Sequence, residues 1–222
     1  MVFNFKKSTR RFRRAANNAY FRKKSGYFPN MGRIASDVRN LKSLVNAEKK
    51  FSNTVSSGLA LASSTTGNVV QLTTIATGDT ETDREGNSLK LSYAYVEGYI
   101  QLHSAATSDT VRVSLVQDLQ PNTATFTYNQ VWDLTALSSA MAIRSISTTN
   151  RFKVLKTNLI SLDVGQTRKH FKFYVPLEFH AKFASSATAI PQTNSLTLCF
   201  CGSNTVNTST VVYYSRIRFI DN

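Results

Sequence analysis

The chain has 222 residues, with 27 Lys and Arg against 13 Asp and Glu, and a formal net charge of +14. Its 9 glycines and 4 prolines exclude a collagen-like or low-complexity chain. The charge is unevenly spread, because residues 1–50 hold 14 basic residues and two acids whereas residues 51–222 hold 13 and 11. The first 50 residues therefore carry +12, and a segment of this kind attracts a polyanion.

Residues 1–30 form what we call the basic arm, in which nine cations precede Ser25 with no acid between them. Cations neutralise phosphates, and the aromatic residues among them either stack on unpaired bases or dock the arm onto protein. Two clusters, at 10–14 and 22–24, also match a nuclear import signal. The residues of this import signal are Arg10, Arg11, Arg13, Arg14, Arg22, Lys23 and Lys24. The nucleic-acid-binding candidates are Lys6, Lys7, Arg10, Arg11, Arg13, Arg14, Arg22, Lys23 and Lys24.

Neither a signal peptide nor a membrane span is expected. The charged N-terminus is followed by Ala15 and Asn17, not by an apolar region. No window approaches the roughly 18 apolar residues that a transmembrane helix needs. We therefore expect a soluble protein without membrane insertion.

An amphipathic helix is predicted over residues 31–50. Ile34, Val38, Leu41 and Val45 recur at i, i+4, i+7 and i+11, which places them on one face of a helix. Such a helix needs an apolar partner, either the rest of the chain or copies of itself. A membrane surface is a third alternative, disfavoured because the apolar face lacks Trp and Phe.

From residue 51 onward the pattern changes to the period of two that indicates strands. Residues 52–67 are rich in Ser, Thr, Gly and Ala and are predicted to be a linker that ends in an irregular edge segment. Leu89, Leu91 and Tyr93 are placed on one face of a strand. Pro176 marks a bulge or an edge. The irregular span 119–150 is predicted to hold a short helix at 132–134 and 136–143. The predicted strands are 69–77, 88–103, 110–118, 151–162, 169–183, 195–202 and 210–220. They indicate an all-β sandwich or barrel.

Catalytic motifs are missing from the sequence. His103, His170 and His180 lie in predicted strands, none beside a Ser or Cys in a recognisable nucleophile motif, and are interpreted as structural histidines. Cys199 and Cys201 are two residues apart on one strand, so their side chains point to the same face about 6.5–7 Å from each other. This distance is too long for an unstrained disulfide, and both are expected to be free thiols. We predict a protein that is not an enzyme.

An acidic cluster precedes the strand at 88–103. Its carboxylates Asp79, Glu81, Asp83 and Glu85 alternate along the chain, and oxygen ligands of this kind suit Ca²⁺. The alternative is a solvated turn. Such a calcium ion would lie at an interface between neighbouring subunits. The sequence predicts no other cofactor.

Several residues resemble a viral coat-protein segment. Gly78-Asp79 followed by Arg84-Glu85-Gly86 and the apolar Leu89 resembles the Gly-Asp…Arg-x-Gly segment of single jelly-roll capsid proteins. That segment occurs in circular, Rep-encoding single-stranded DNA viruses and in satellite tobacco necrosis virus. Arg151-Phe152 opens a stretch that resembles the family's strand after a long aromatic-bearing insertion.

The resemblance implies an eight-stranded jelly roll at 51–222, preceded by the basic arm at 1–30 and the helix at 31–50. Sixty copies would form a T=1 icosahedral shell around a single-stranded genome, with DNA favoured over RNA. The protein would occur in the virion, and in the host nucleus or cytoplasm during assembly, with a host receptor that the sequence does not identify. The alternatives are a cellular β-sandwich nucleic-acid-binding module with a basic tail and, third, a jelly-roll oxygenase.

Overall fold

The period of two places alternate side chains of each strand on opposite faces, and the computed structural model consists of two antiparallel sheets built in this way. It describes residues 49–62, 67–134 and 140–221, together with Ser36. In chain order the elements are β1 (Lys49–Ala60), β2 (Asn68–Gln71), β3 (Ser88–Gln101), β4 (Ser108–Asp118), the short helix α1 (Tyr128–Val131), β5 (Trp132–Asp133), β6 (Ile143–Arg144), β7 (Phe152–Asp163), β8 (Arg168–Lys182), β9 (Ser195–Gly202) and β10 (Thr210–Asp221).

The strand order defines the fold. One sheet runs β1-β10-β3-β8 and the other runs β2-β9-β4-β7. Successive long strands pass from one sheet to the other, except for β4 and β7, which are direct neighbours. Eight antiparallel strands connected in this way form a jelly roll. The predicted fold class, all-β with an eight-stranded jelly roll, is confirmed.

All seven predicted strands are present, and β9 has the limits that the sequence predicted. The prediction was too long for β2, which ends at Gln71 because the chain then leaves the sheet. Pro176 lies in β8, an edge strand, one residue before a register shift against β3. Both interpretations of this proline are confirmed.

The prediction of a linker at 52–67 was wrong for its first part. Residues 49–60 form β1, the edge strand that pairs with β10 from Lys49 opposite Ile220 to Ala60 opposite Thr210. Its alternation is hidden because the side chains facing the other sheet include Ser52 and Thr54. An edge strand with polar residues on both faces has no apolar periodicity by which to be recognised.

The predicted N-terminal helix extends two residues too far, since Lys49 and Lys50 belong to β1. Ser36 is helical and exposed. The rest of the helix prediction, and the whole basic arm, lies outside the described residues.

The predicted helix at 132–134 and 136–143 is also wrong. Trp132 and Asp133 form β5, which pairs with β6, and the helix of this region is the single turn α1 just before them. Residues 135–139 lie outside the described part of the chain.

A bulge corrects the predicted orientation of Tyr93. Ser92 is an extra residue of β3 relative to β10, because Leu91 pairs with Phe219 and Tyr93 pairs with Arg218. The bulge reverses the alternation, so Ala94 is buried and Tyr93 points away from the core. Tyr93 therefore does not share a face with Leu89 and Leu91.

The main core lies between the two sheets. Leu91, Val96 and Phe173 from one sheet and Val113 and Leu198 from the other are all fully buried there. Such side chains contribute about 1.5–3 kcal/mol each through apolar burial.

A second, smaller apolar cluster covers the far face of the sheet β2-β9-β4-β7. Phe126, Tyr128 and Trp132 from the segment between β4 and β7 pack there with Cys199 and Cys201. For this reason every residue of β9 is buried. The same segment is fixed to β4 by Arg112, whose guanidinium lies 4.0 Å from the Trp132 ring centroid and whose Nε donates to the Ala140 carbonyl at 2.8 Å.

Both cysteines are buried thiols, as the sequence predicted. Burial is the main cause that raises the pKa of Cys199 above its ordinary value, so its reactive thiolate is scarce at neutral pH.

We expect the two thiols to resist alkylation by iodoacetamide at pH 8 in the folded protein and to react fully in urea. Mass spectrometry of protein quenched at intervals measures the modification. Rapid modification of Cys199 in the folded protein would contradict its position in the small apolar cluster.

Candidate functional site at the base of the basic arm

The cationic N-terminal segment enters the jelly roll at Lys50, and this lysine is itself part of the body. Its side chain is 1% exposed, and its Nζ lies 2.7 Å from Glu85 Oε1 and 3.9 Å from Asp221 Oδ2. A buried ammonium is costly unless it is paired. Lys50 is thus neutralised inside the protein and does not add to the charge available for a polyanion.

The partners of Lys50 lie at the far end of the chain and in the loop at 78–87, which we call the clasp loop. The Asp221 carboxylate accepts hydrogen bonds from the backbone N–H groups of Glu85 and Gly86, the latter at 3.2 Å. The Phe51 N–H donates to the Glu81 carbonyl at 3.0 Å. The clasp loop therefore connects the start of β1, at Lys50 and Phe51, to the end of β10, at Asp221.

Arg84 holds the clasp loop in place. Its side chain is fully buried, and desolvation lowers the pKa of the guanidinium from its ordinary value while Asp221 opposes that effect. The guanidinium lies 4.0 Å from the Phe183 ring centroid. It donates hydrogen bonds to oxygens of two loops, namely Ile75 O (3.3 Å), Gly86 O (2.6 Å), Asn87 Oδ1 (3.1 Å), Ser185 O (2.8 Å), Ser186 O (3.4 Å) and Thr188 O (2.8 Å).

These contacts explain the Arg-x-Gly segment in structural terms. Arg84 satisfies carbonyls of its own loop and of the loop between β8 and β9, so a single side chain fixes both. Burial without those acceptors would cost several kcal/mol. The segment therefore shapes the protein, and no described contact gives it a catalytic role.

Gly78, the first residue of the segment, is required by packing. A Cβ at this position would lie 2.5 Å from the Asp83 Oδ2 atom. The Asp83 carboxylate also accepts a hydrogen bond from Thr80 Oγ1 at 2.7 Å. A larger residue at 78 would therefore require the Asp83 side chain to shift.

The four carboxylates predicted to bind calcium are not brought together. Asp79 and Glu81 are exposed, Asp83 bonds Thr80, and Glu85 pairs with Lys50. No group of three or more His, Cys, Asp or Glu within the described residues is arranged to hold a metal ion. The clasp loop is a turn and not a strand, so alternation along the sequence does not place these side chains on one face. A calcium site completed by a neighbouring copy stays a prediction.

The histidines lie apart from one another. His103 follows β3 and accepts the Ala105 N–H at 3.1 Å, while the His170 ring lies 5.7 Å from the Tyr99 ring. His180 Nδ1 is 3.5 Å from Ser88 Oγ. None has a nucleophile–base–acid arrangement around it among the described residues.

Sequence reasoning missed the roles of Lys50, Arg84 and Asp221. The sequence signal for the buried Lys50 was weak. Lys50 pairs with the apolar Phe219 of β10, but this pairing can be inferred only after β1 has been recognised as a strand. Three of the acceptors of Arg84, in the loop between β8 and β9, lie about 100 residues away along the chain, where no local pattern reports them.

The comparisons with known proteins establish no family. No family model and no curated protein matches the chain. Among solved structures, a Broad Bean Stain Virus protein is 14% identical, with 78% of this chain and 86% of that chain covered and a TM-score of 0.36. A protein of the Cowpea Mosaic Virus empty particle is 12% identical, with 78% of this chain and 84% of that chain covered and a TM-score of 0.39. The xylan-binding domain CBM22-1 of Paenibacillus barcinonensis Xyn10C is 9% identical, with 78% of this chain and 83% of that chain covered and a TM-score of 0.35. These values are too low to assign a family, and the fold rests on the strand order itself.

The described residues include no helix that is long and apolar enough to cross a membrane.

We expect Arg84→Met to lower the free energy of unfolding by about 3 kcal/mol or more, because buried carbonyls of both loops lose their donor. Arg84→Lys should also be destabilising, since an ammonium lacks the planar fork that reaches both loops. Urea denaturation measures the change, with Arg168→Met as the control for loss of an exposed arginine. A stability equal to wild type in both Arg84 variants would refute this role.

Proposed function

We propose that the chain is the coat protein of a small virus, which assembles with copies of itself into a shell and packages single-stranded nucleic acid through its basic arm. One observation carries this proposal: a complete eight-stranded jelly roll, which begins at Lys49, follows directly on residues 1–48, whose net charge is +10. The residues of the Gly-Asp…Arg-x-Gly resemblance add support, because they shape the loop at the base of that segment.

The charge is sufficient for packaging without base recognition. Without Lys49 and Lys50, which belong to β1, residues 1–48 carry +10, so a T=1 shell of sixty subunits would carry about 600 positive charges in these segments, comparable with the phosphates of a strand on the order of a kilobase. We propose single-stranded DNA over RNA as the genome. In a DNA virus the clusters at 10–14 and 22–24 would also serve nuclear import.

The first test is assembly. Negative-stain electron microscopy of the purified protein should show uniform closed shells, and the nucleic acid extracted from them should be degraded by DNase and not by RNase. A monomeric protein that binds nucleic acid would instead identify a cellular module with a basic tail. RNase-sensitive contents would keep the coat function and correct the genome type.

The second test separates packaging from folding. Replacing the nine arm cations by Gln should leave shells intact and remove most of the nuclease-protected nucleic acid, because fewer counterions are released on binding. The matched control, Lys153→Gln with Lys156→Gln, removes exposed cations of β7 and should package normally. Wild-type packaging by the arm variant would disprove the electrostatic role of the arm.

A further inference from the structure

The sheet β1-β10-β3-β8 has an outer face of unusual composition. The bulge at Ser92 and the period of two direct its polar and aromatic side chains away from the core. We call this surface the tyrosine face. Its aromatic residues are Phe51, Tyr93, Tyr95, Tyr99, Tyr174 and Tyr214, and its cations are Lys49 and, from residues 51–222, Lys90, Arg168, Lys172, Lys182, Arg216 and Arg218.

Cations and rings are neighbours on this face. In one row, Asn53 of β1 pairs with Arg216 of β10, which pairs with Tyr95 of β3, which pairs with Tyr174 of β8. The Tyr174 side chain is 64% exposed. Neighbouring residues across a sheet lie about 5 Å apart, so the Arg216 cation lies beside the Tyr95 ring, and the Tyr95 ring lies beside the Tyr174 ring.

Arg216 is held in position by its neighbours. Its Nε donates to Asn53 Oδ1 at 2.9 Å, and the Tyr214 hydroxyl donates to the same oxygen at 2.8 Å. The Arg216 guanidinium also lies 4.8 Å from the Phe51 ring centroid and 5.6 Å from that of Tyr214. These contacts use one N–H of Arg216 and direct its planar group along the surface.

The same arrangement recurs on β3 and β8. The Arg168 guanidinium lies 4.4 Å from the Tyr99 ring centroid, and the Lys172 ammonium lies 5.2 Å from that of Tyr95. Tyr93 and Tyr174 form a tilted ring pair with centroids 5.5 Å apart. The rings are therefore spread over the face and not gathered into one apolar patch.

The tyrosine face is positive although the body is nearly neutral. Six of the body's cations lie on it, against the two acids Glu97 and Glu178. Other acids are held elsewhere: Asp109 and Asp118 are buried, and several line the clasp loop. The field of this face consequently favours an anion.

We propose that the tyrosine face is a second binding surface for single-stranded nucleic acid, with unpaired bases stacked on its tyrosines and phosphates paired with its cations. Base–aromatic stacking combined with backbone cations is how proteins bind single strands without reading sequence. A duplex presents its bases only as edges in the grooves, so it cannot stack on these rings. The inference rests on the proposed packaging function and adds a preference for single strands that the arm's charge alone does not supply.

Stacking is tested by removing rings without changing charge. Tyr95→Leu with Tyr174→Leu should weaken binding to a 30-nucleotide oligo(dT) about fivefold or more, and leave affinity for a 30-base-pair duplex unchanged. Tyr95→Phe with Tyr174→Phe keeps both rings and should bind as wild type. Fluorescence anisotropy on the full-length chain in about 0.5 M salt suppresses the arm's electrostatic contribution, and thermal denaturation checks that both variants fold.

The phosphate contacts are tested by salt dependence. Lys172→Gln with Arg216→Gln should reduce the slope of log affinity for oligo(dT) against log salt by about 1.4, the amount expected for two phosphate contacts on a single strand. Lys153→Gln with Lys156→Gln removes the same charge from β7 and should leave the slope unchanged. Equal slopes in both pairs would overturn the cation contacts.

The proposal is overturned if the Leu variant binds oligo(dT) as wild type, or if it loses affinity for oligo(dT) and the duplex equally. In that case shells that still form and still protect nucleic acid would leave the coat function standing. Absence of shells would contradict the coat function whatever the tyrosine face binds.

Discussion

The buried guanidinium of Arg84 is the contact on which the clasp loop depends. A charge at that depth is tolerated only with full hydrogen bonding, and the carbonyls that provide it come from the clasp loop and from the loop between β8 and β9. With both loops fixed, the backbone at Glu85 and Gly86 meets the Asp221 carboxylate and the Glu85 side chain meets Lys50. The edge strand β1, which pairs only with β10, is thereby also held at its first residues.

This construction separates the charges of the body. Several acids lie in the clasp loop at one end of the sheet, and Lys50 forms an ion pair with Glu85 there. Asp118 is buried and paired with Arg151, whose pKa is raised first of all by that hydrogen bond. What remains on the outer face of β1-β10-β3-β8 is mainly cationic. The net charge of residues 51–222 conceals this polarity, because it adds together acids engaged in structure and cations exposed on a surface.

Sequence pattern predicted the strands that have one apolar and one polar face, such as β10, where the buried Ile217 and Phe219 alternate with Arg216 and Arg218. It failed for β1, whose two faces are both largely polar, and for the segment around Trp132, where packing on Cys199 and Cys201 decides the conformation. The roles of Arg84 and Asp221 were not predictable from spacing, since Arg84 joins its own loop to Ser185 and the partners of Asp221 lie at Glu85 and Gly86, in each case more than 100 residues distant. The basic arm and its cations were recognisable from composition alone, and they stay predictions because they lie outside the described residues.

The bulge at Ser92 shows how a single residue determines what a face can bind. Without it, the alternation begun by Leu89 and Leu91 would carry Tyr93 and Tyr95 into the core and leave Ala94 and Val96 outside. That exchange would crowd large rings into the space between the sheets and expose small apolar groups. One extra residue keeps the inner positions small enough for the opposing sheet, and it moves Tyr93, Tyr95 and Tyr99 to the outer face. The packing of the jelly roll and the composition of the tyrosine face are therefore two results of the same local irregularity.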